Sequence, residues 1–236
     1  MHFNVFTRHV SRIHKIVGIV AGILLTFWVV SGFYFTLYPI EIIRGDHLRA
    51  PIEHGTLEPD EVKVTVQDAI SASGIWGFQA ELKMFLGDPV WVVSNSHDTR
   101  MIDARTGEKI SPIPEETARR IAETGVPGLI GSDAVVYMIS ENPLREYGGA
   151  LPVWIAETPD AKERVYIDPM TGDIKAVRTT EWRVFDVLWR FHILDITGAD
   201  EFDTWWLKLG AFLGIVMVIS GLIILVQRAI RGRLFF

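Results

Sequence analysis

Residues 16–40 form an unbroken apolar run, with no charged side chain between Lys15 and Glu41. As a helix rising about 1.5 Å per residue, such a run crosses a hydrocarbon core of roughly 30 Å. It therefore predicts a membrane span, and an uncleaved span here decides the compartment of the whole downstream chain. A cleaved secretory leader is the competing reading. The run is too long for a leader's apolar core, and Tyr34, Phe35, Leu37, Tyr38 and Pro39 stand where small cleavage-site residues belong.

A second apolar run, residues 209–227, lies between Lys208 and Arg228 and comes after Trp205-Trp206, a pair suited to a membrane interface. Every acidic residue falls between Glu41 and Asp203, where 16 of the 23 basic side chains face all 29 acids. The flanks carry Arg8, Arg12 and Lys15 on one side and Arg228, Arg231 and Arg233 on the other, with no acid. Basic flanks face the cytoplasm, so both termini are expected inside and the middle outside, in the periplasm of a bacterium with two membranes. The expected order is a basic tail at 1–15, a span at 16–40 and an exterior domain at 41–180. An interfacial helix and turn at 181–203, a span at 204–227 and a basic tail at 228–236 complete it. An acidic exterior domain argues against nucleic acid as a partner and leaves membrane lipid as the expected surroundings of the spans.

The middle of the chain repeats itself. Pro89-Val90-Trp91-Val92-Val93 precedes Ile102-Asp103-Ala104-Arg105-Thr106-Gly107, and Pro152-Val153-Trp154-Ile155-Ala156 precedes Ile167-Asp168-Pro169-Met170-Thr171-Gly172. Each unit reads as a strand, a turn, a strand ending in Ile-Asp, and a Thr-Gly turn into another strand. A helix signal stands before each. One helix is expected to start at Pro59-Asp60-Glu61 and run towards Ser73; the other starts at Pro114-Glu115-Glu116 and runs to Thr124, with Gly125 beyond. The fold class is therefore α+β: a tandem helix-plus-antiparallel-sheet exterior domain carried by two transmembrane α-helices. Residues 141–150 are an extra loop of the second unit. Trp76, Trp91 and Trp154 read as core or sheet-face aromatics.

The two spans also share features. Gly18 and Gly22 in the first, and Gly210 and Gly214 in the second, form small-xxx-small pairs that suit close helix packing. Val29-Val30-Ser31-Gly32 is matched by Val218-Ile219-Ser220-Gly221, and such small residues also suit the close approach of a flat cofactor. Between the exterior domain and the second span, Trp182, Phe185, Trp189, His192 and Ile193 recur at helical spacing with charges between them, an amphipathic helix for the membrane surface. A polar turn is expected at 196–204.

No cysteine is present, which excludes disulfides, Cys-ligated zinc, iron–sulfur clusters and covalently attached haem, but not a b-type haem held by histidines. No Ser-His-Asp order, zinc-type histidine spacing or glycine-rich phosphate loop is visible, which argues against hydrolase or nucleotide chemistry. Asp103 and Asp168 read as turn caps rather than a catalytic dyad.

The doubled Ile-Asp-x-x-Thr-Gly pattern resembles the PepSY domain. Ile13-His14-Lys15-Ile16-Val17-Gly18 with the later Ser31-Gly32 resembles the first helix of PepSY-associated transmembrane proteins, and Phe191-His192 before Thr197-Gly198 is similar to that family's second histidine segment, at looser spacing. The resemblance covers nearly the whole chain. Larger members have four spans, and some are ferric-siderophore reductases that move electrons through histidine-ligated b-type haems; this chain has two spans. The resemblance thus implies haem b as cofactor and His14 and His192 as its iron ligands. With a membrane between them these histidines lie roughly 30 Å apart and cannot share one haem. A homodimer, or another membrane subunit, would supply the second ligand. The function so implied is haem-dependent transmembrane electron transfer, linked to ferric-chelate reduction. The alternative is a non-catalytic accessory, assembly or peptidase-regulating protein whose PepSY units bind a partner.

Overall fold

The computed structural model describes residues 2–76, 79–128, 131, 133–195 and 203–232. The chain forms two compact units: Ile40–Arg183, and Met1–Pro39 together with Val184–Phe236.

In the second of these, helix α1 (His2–Leu37) is continuous, so the basic tail and the first span form one helix. It stops two residues before Pro39, whose ring cannot follow an α-helical neighbour. The other long helix, Trp205–Ile230, starts at Thr204, whose hydroxyl accepts from the Leu207 N–H at 3.3 Å. The polar turn expected at 196–204 lies outside the described residues except for Asp203 and Thr204. Both helices are long and apolar enough to cross a membrane, and only 11% of each apolar window is buried. A core helix of a soluble domain would bury most of such a surface; here Ile16, Ile19, Phe33, Leu222 and Val226 are exposed, as a lipid-facing helix requires.

The unit Ile40–Arg183 begins with the short helix α2 (Ile40–Ile43) and holds both repeats. The first has helix α3 (Val66–Ser73) and an antiparallel sheet of β1 (Gln79–Phe85), β2 (Asp88–Ser94) and β3 (Thr99–Asp103). The second has helix α4 (Glu115–Gly125) and a four-stranded sheet of β4 (Val135–Ile139), β5 (Val153–Glu157), β6 (Arg164–Ile167) and β7 (Ile174–Arg178). One core joins them: Phe85, Val90 and Met101 of the first pack with Ile121, Val136, Val165, Ile167 and Val177 of the second. Helix α5 (Thr180–His192) continues the chain and ends in the other unit. The completing helix, Trp205–Ile230, is α6.

Three expectations for the repeats need correction. The helix expected from Pro59 to Ser73 is broken. A 3-10 turn covers Pro59–Glu61, and α3 starts only after Thr65, because the Lys63 and Val64 N–H groups both bond to the Ala104 carbonyl at 2.9 Å and hold the chain out of helix. The strand expected after Thr106-Gly107 shrinks to a single bridge between Ile102 and Lys109. Pro112 and Pro114 come soon after and offer no N–H to extend a ladder. Trp76 is neither core nor sheet face, being 89% exposed. Trp91 and Trp154 do behave as a repeated pair, donating Nε1–H to the carbonyls of Val64 (2.9 Å) and Ile113 (3.0 Å).

The two Thr-Gly turns share most of their hydrogen bonds. Gly107 N–H reaches the Asp103 carbonyl at 2.9 Å, and Gly172 N–H reaches that of Asp168 at 2.8 Å. Asp103 Oδ1 accepts from Arg105 N–H at 2.7 Å, and Asp168 Oδ1 from Met170 N–H at 2.7 Å. Both aspartates are engaged in capping, and both glycines take positive φ, 80° and 74°.

Candidate cofactor site

The candidate site lies in the membrane unit. Its helices α1 and α6 run antiparallel: His14 faces Ser220, Gly18 faces Met217, and Leu24 faces Gly210. This register carries His14 onto the Ser220-Gly221 pair of α6. His14 Nδ1 lies 2.7 Å from Ser220 Oγ, and a Cβ placed on Gly221 would meet His14 Cε1 at 3.4 Å.

The other histidine repeats the arrangement from the opposite direction. His192, the last residue of α5, reaches the Ser31-Gly32 pair of α1. Its Nδ1 lies 2.9 Å from Ser31 Oγ, and a Cβ on Gly32 would meet Cε1 at 3.7 Å. Both serines are buried, at 1% and 7% exposure, and both imidazoles are half-buried. Each serine also donates its hydroxyl to its own helix: Ser31 to the Phe27 carbonyl at 2.6 Å, Ser220 to the Met217 carbonyl at 3.1 Å.

The two pairs differ in their walls. His192 lies beside three aromatic rings: Trp189 is nearly parallel to it at 6.2 Å, Phe35 meets it edge-on at 5.4 Å, and Trp28 is tilted at 6.3 Å. No ring contact accompanies His14 among the described residues. Ser31 lies seventeen positions after His14 on α1, about 25 Å at the helical rise. The two histidines therefore serve two separate places.

The glycines divide in the same way. Gly18 sits against Met217, with 3.3 Å from a built Cβ to Cε, and Gly210 against Leu194, with 2.8 Å to Cδ1. Gly22 and Gly214 have nothing within 4 Å of a built Cβ. They line an apolar cavity of about 510 Å³ between α1 and α6, with Ala21, Trp28, Ile215 and Val218. At these two positions the missing side chain leaves room beside the cavity.

Sequence pattern alone casts Ser31 and Ser220 as packing residues; it reveals neither their role as histidine partners nor the aromatic wall of His192. The matched Val-x-Ser-Gly motifs carry the signal, since buried serines repeated at corresponding places imply a repeated polar partner.

The donor set suits a b-type haem. An iron-binding imidazole keeps one nitrogen for the metal and gives the other to a fixed neighbour. Both histidines meet a buried serine through Nδ1, the contact such a neighbour would make. Each place holds one such histidine.

The model of the PepSY-associated TM region matches residues 11–236, nearly the whole chain. No curated protein and no solved structure gives a match. With two helices long and apolar enough to cross a membrane at either end of an α+β domain, the chain is a two-pass membrane protein of the PepSY-associated transmembrane family.

Proposed function

We propose that this protein carries electrons across the bacterial inner membrane through two b-type haems, one at His14 and one at His192, with its termini in the cytoplasm and its PepSY-like domain in the periplasm. The observation that carries this reading is the paired design: two half-buried imidazoles, each bonded through Nδ1 to a buried serine of another segment. Polar groups at membrane depth are costly, and a matched pair of them marks function.

One chain offers one such histidine at each place, and a second copy would supply the other residue needed to hold each haem. A two-fold dimer sets His14 against its partner's equivalent on one side and His192 on the other, in a four-helix bundle. A bound b-type haem supplies reversible one-electron transfer at each place. The chain's own residues hold and orient the imidazoles. Trp28, Phe35 and Trp189 pack around His192, and the basic residues Arg8, Arg12 and Lys15 anchor the end of α1 that carries His14. The periplasmic acceptor is proposed to be a ferric chelate.

The test is a reduced-minus-oxidised absorption spectrum of the protein purified in mild detergent. A b-type signal that loses one component in His14→Ala and the other in His192→Ala supports the reading. A protein that stays colourless when produced with added haem refutes it, and points to an accessory or peptidase-regulating role for the PepSY units.

A further inference from the structure

We infer that Ser31 and Ser220 are positioning residues that set the tautomer of the two histidines, placing the ring proton on Nδ1 and leaving the lone pair of Nε2 open at both places. The inference rests on a count of protons. A serine hydroxyl has one proton to give and two lone pairs to accept with. In Ser31 that proton goes to the Phe27 carbonyl four residues back, at 2.6 Å, the usual recourse of a serine within a helix. A carbonyl oxygen has no proton of its own, so a contact this short between two oxygens requires the hydroxyl proton between them. Towards His192 Nδ1, 2.9 Å away, Ser31 can then only accept, and Nδ1 must be the donor. A neutral imidazole with its proton on Nδ1 has its lone pair on Nε2.

The other place holds the same three groups with the lengths reversed, so the inference there rests on the likeness to Ser31. Ser220 gives its proton to the Met217 carbonyl at 3.1 Å, and His14 Nδ1 approaches Ser220 Oγ at 2.7 Å. The alternative would turn a hydroxyl proton towards the ring and leave Ser31 facing a backbone oxygen at 2.6 Å with no hydrogen between them. Burial of both serines removes water as a substitute donor. The next residue is glycine in both motifs, and its backbone lies beside the Cε1 edge of the ring, 3.7 Å from a Cβ built on Gly32 and 3.4 Å from one built on Gly221.

The tautomer itself needs no haem. Its use as a haem-holding arrangement rests on the function proposed above, and the two can fail separately. The measurement is a two-bond proton–nitrogen correlation spectrum of the full chain in detergent, labelled with ¹⁵N-histidine and produced under haem limitation. His14→Ala and His192→Ala assign the two rings. The expected wild-type result is the Nδ1–H pattern for both. Ser31→Ala should release His192 to the Nε2–H form that an unconstrained histidine prefers and leave His14 as it was; Ser31→Thr, which keeps the hydroxyl, should restore the Nδ1–H pattern. Ser220→Ala should do the reverse, acting on His14 alone. In haem-loaded protein each serine-to-alanine change should weaken haem retention at its own place by roughly 10–100-fold, the usual effect of removing a ligand's orienting partner. A wild-type spectrum showing Nε2–H or doubly protonated rings overturns the inference, as does a Ser31→Ala spectrum that leaves His192 unchanged. The wild-type spectrum decides the matter even if a variant does not fold. The expected tautomers in a protein that takes up no haem would uphold the serines' role and refute the electron-transfer reading.

Discussion

The two repeats of the central domain share a turn of nearly the same bonding, yet the surroundings of that turn differ. In the first, Gly107 has open packing, with Val64 Cγ2 at 3.6 Å from a built Cβ. In the second, Gly172 is pressed from two sides, by Phe85 of the first repeat (2.5 Å) and by Ile121 of α4 (3.1 Å). The second repeat also has a loop the first lacks, and pins it with a buried charge. Glu146, 7% exposed, accepts from Arg164 (2.9 Å), Arg183 (2.7 Å) and Tyr166 (2.8 Å), while its own carbonyl accepts from Arg178 (2.7 Å). A short motif dictates local backbone geometry, but the tertiary load on that geometry is set by what packs against it. Here the second repeat carries the larger share.

The largest effect should come from removing the charge. Glu146→Ala leaves two arginines without their common partner and the buried Tyr166 hydroxyl without an acceptor. The expected loss is about 3 kcal/mol, the lower end for a buried ion pair, since Arg164 and Arg183 keep some access to solvent. Unfolding of the full chain in detergent would show it. Among the described residues the first repeat has no equivalent contact, and an exposed control such as Glu108→Ala should cost a few tenths of a kcal/mol at most. The same site sets a pH dependence. Burial works against the charge of Glu146, but hydrogen bonds from Arg183, Arg164 and Tyr166 outweigh it and hold the carboxyl below its ordinary value. A folded-state value below the unfolded one contributes stability at neutral pH and loses it as pH falls through the folded value. Glu146→Gln should flatten that acid limb. A limb equally steep in wild type and variant would show that the network is not the source.

The glycines give the next test, and it bears on the comparison itself. Alanine at either position must adopt a left-handed backbone, at about 1 kcal/mol. At Gly172 it must also displace Phe85 and Ile121 from a packed core, adding roughly 1–3 kcal/mol. Gly107→Ala should therefore show the backbone cost alone and Gly172→Ala clearly more. Equal losses would mean that the core yields easily and that the two repeats are equivalent after all.

The range of the forces involved decides how much of this is legible in the sequence. The spans are readable because an uncharged run such as residues 16–40 has few other stable settings. The Thr-Gly turns are readable because Asp103 and Asp168 act on amides two residues away. The break before α3 is not, because it depends on Ala104, about forty residues distant, whose carbonyl takes the Lys63 and Val64 N–H groups. Nor are β1 and β4, which carry no motif of their own and pair along their length with β2 and β5. In the membrane unit the histidines are visible as residue types on a family motif. Their serine partners are not, because only the register of α1 against α6 brings residue 14 to residue 220, and only the end of α5 brings residue 192 to residue 31.

The smallest effect concerns how the two repeats begin. Helix α4 has no side-chain cap at Pro114 and relies on Glu115 and Glu116 in its first turn, where negative charge meets the positive end of the helix dipole. Helix α3 comes after the non-helical residues 62–65 and has only eight of its own, so its first turn depends on Thr65. The Thr65 hydroxyl accepts from Asp68 N–H at 3.2 Å and lies 2.7 Å from Asp68 Oδ2, to which it donates. Thr65→Ala should cost about 1 kcal/mol, the usual value of a lost N-cap. A helix this short has little else to hold its end. The loss should therefore be local: amide hydrogen exchange should quicken across Val66–Ser73 while α4 keeps its protection. Equal quickening in both helices would mean that the shared core, rather than the cap, sets the stability of α3, and that the two repeats open as one unit.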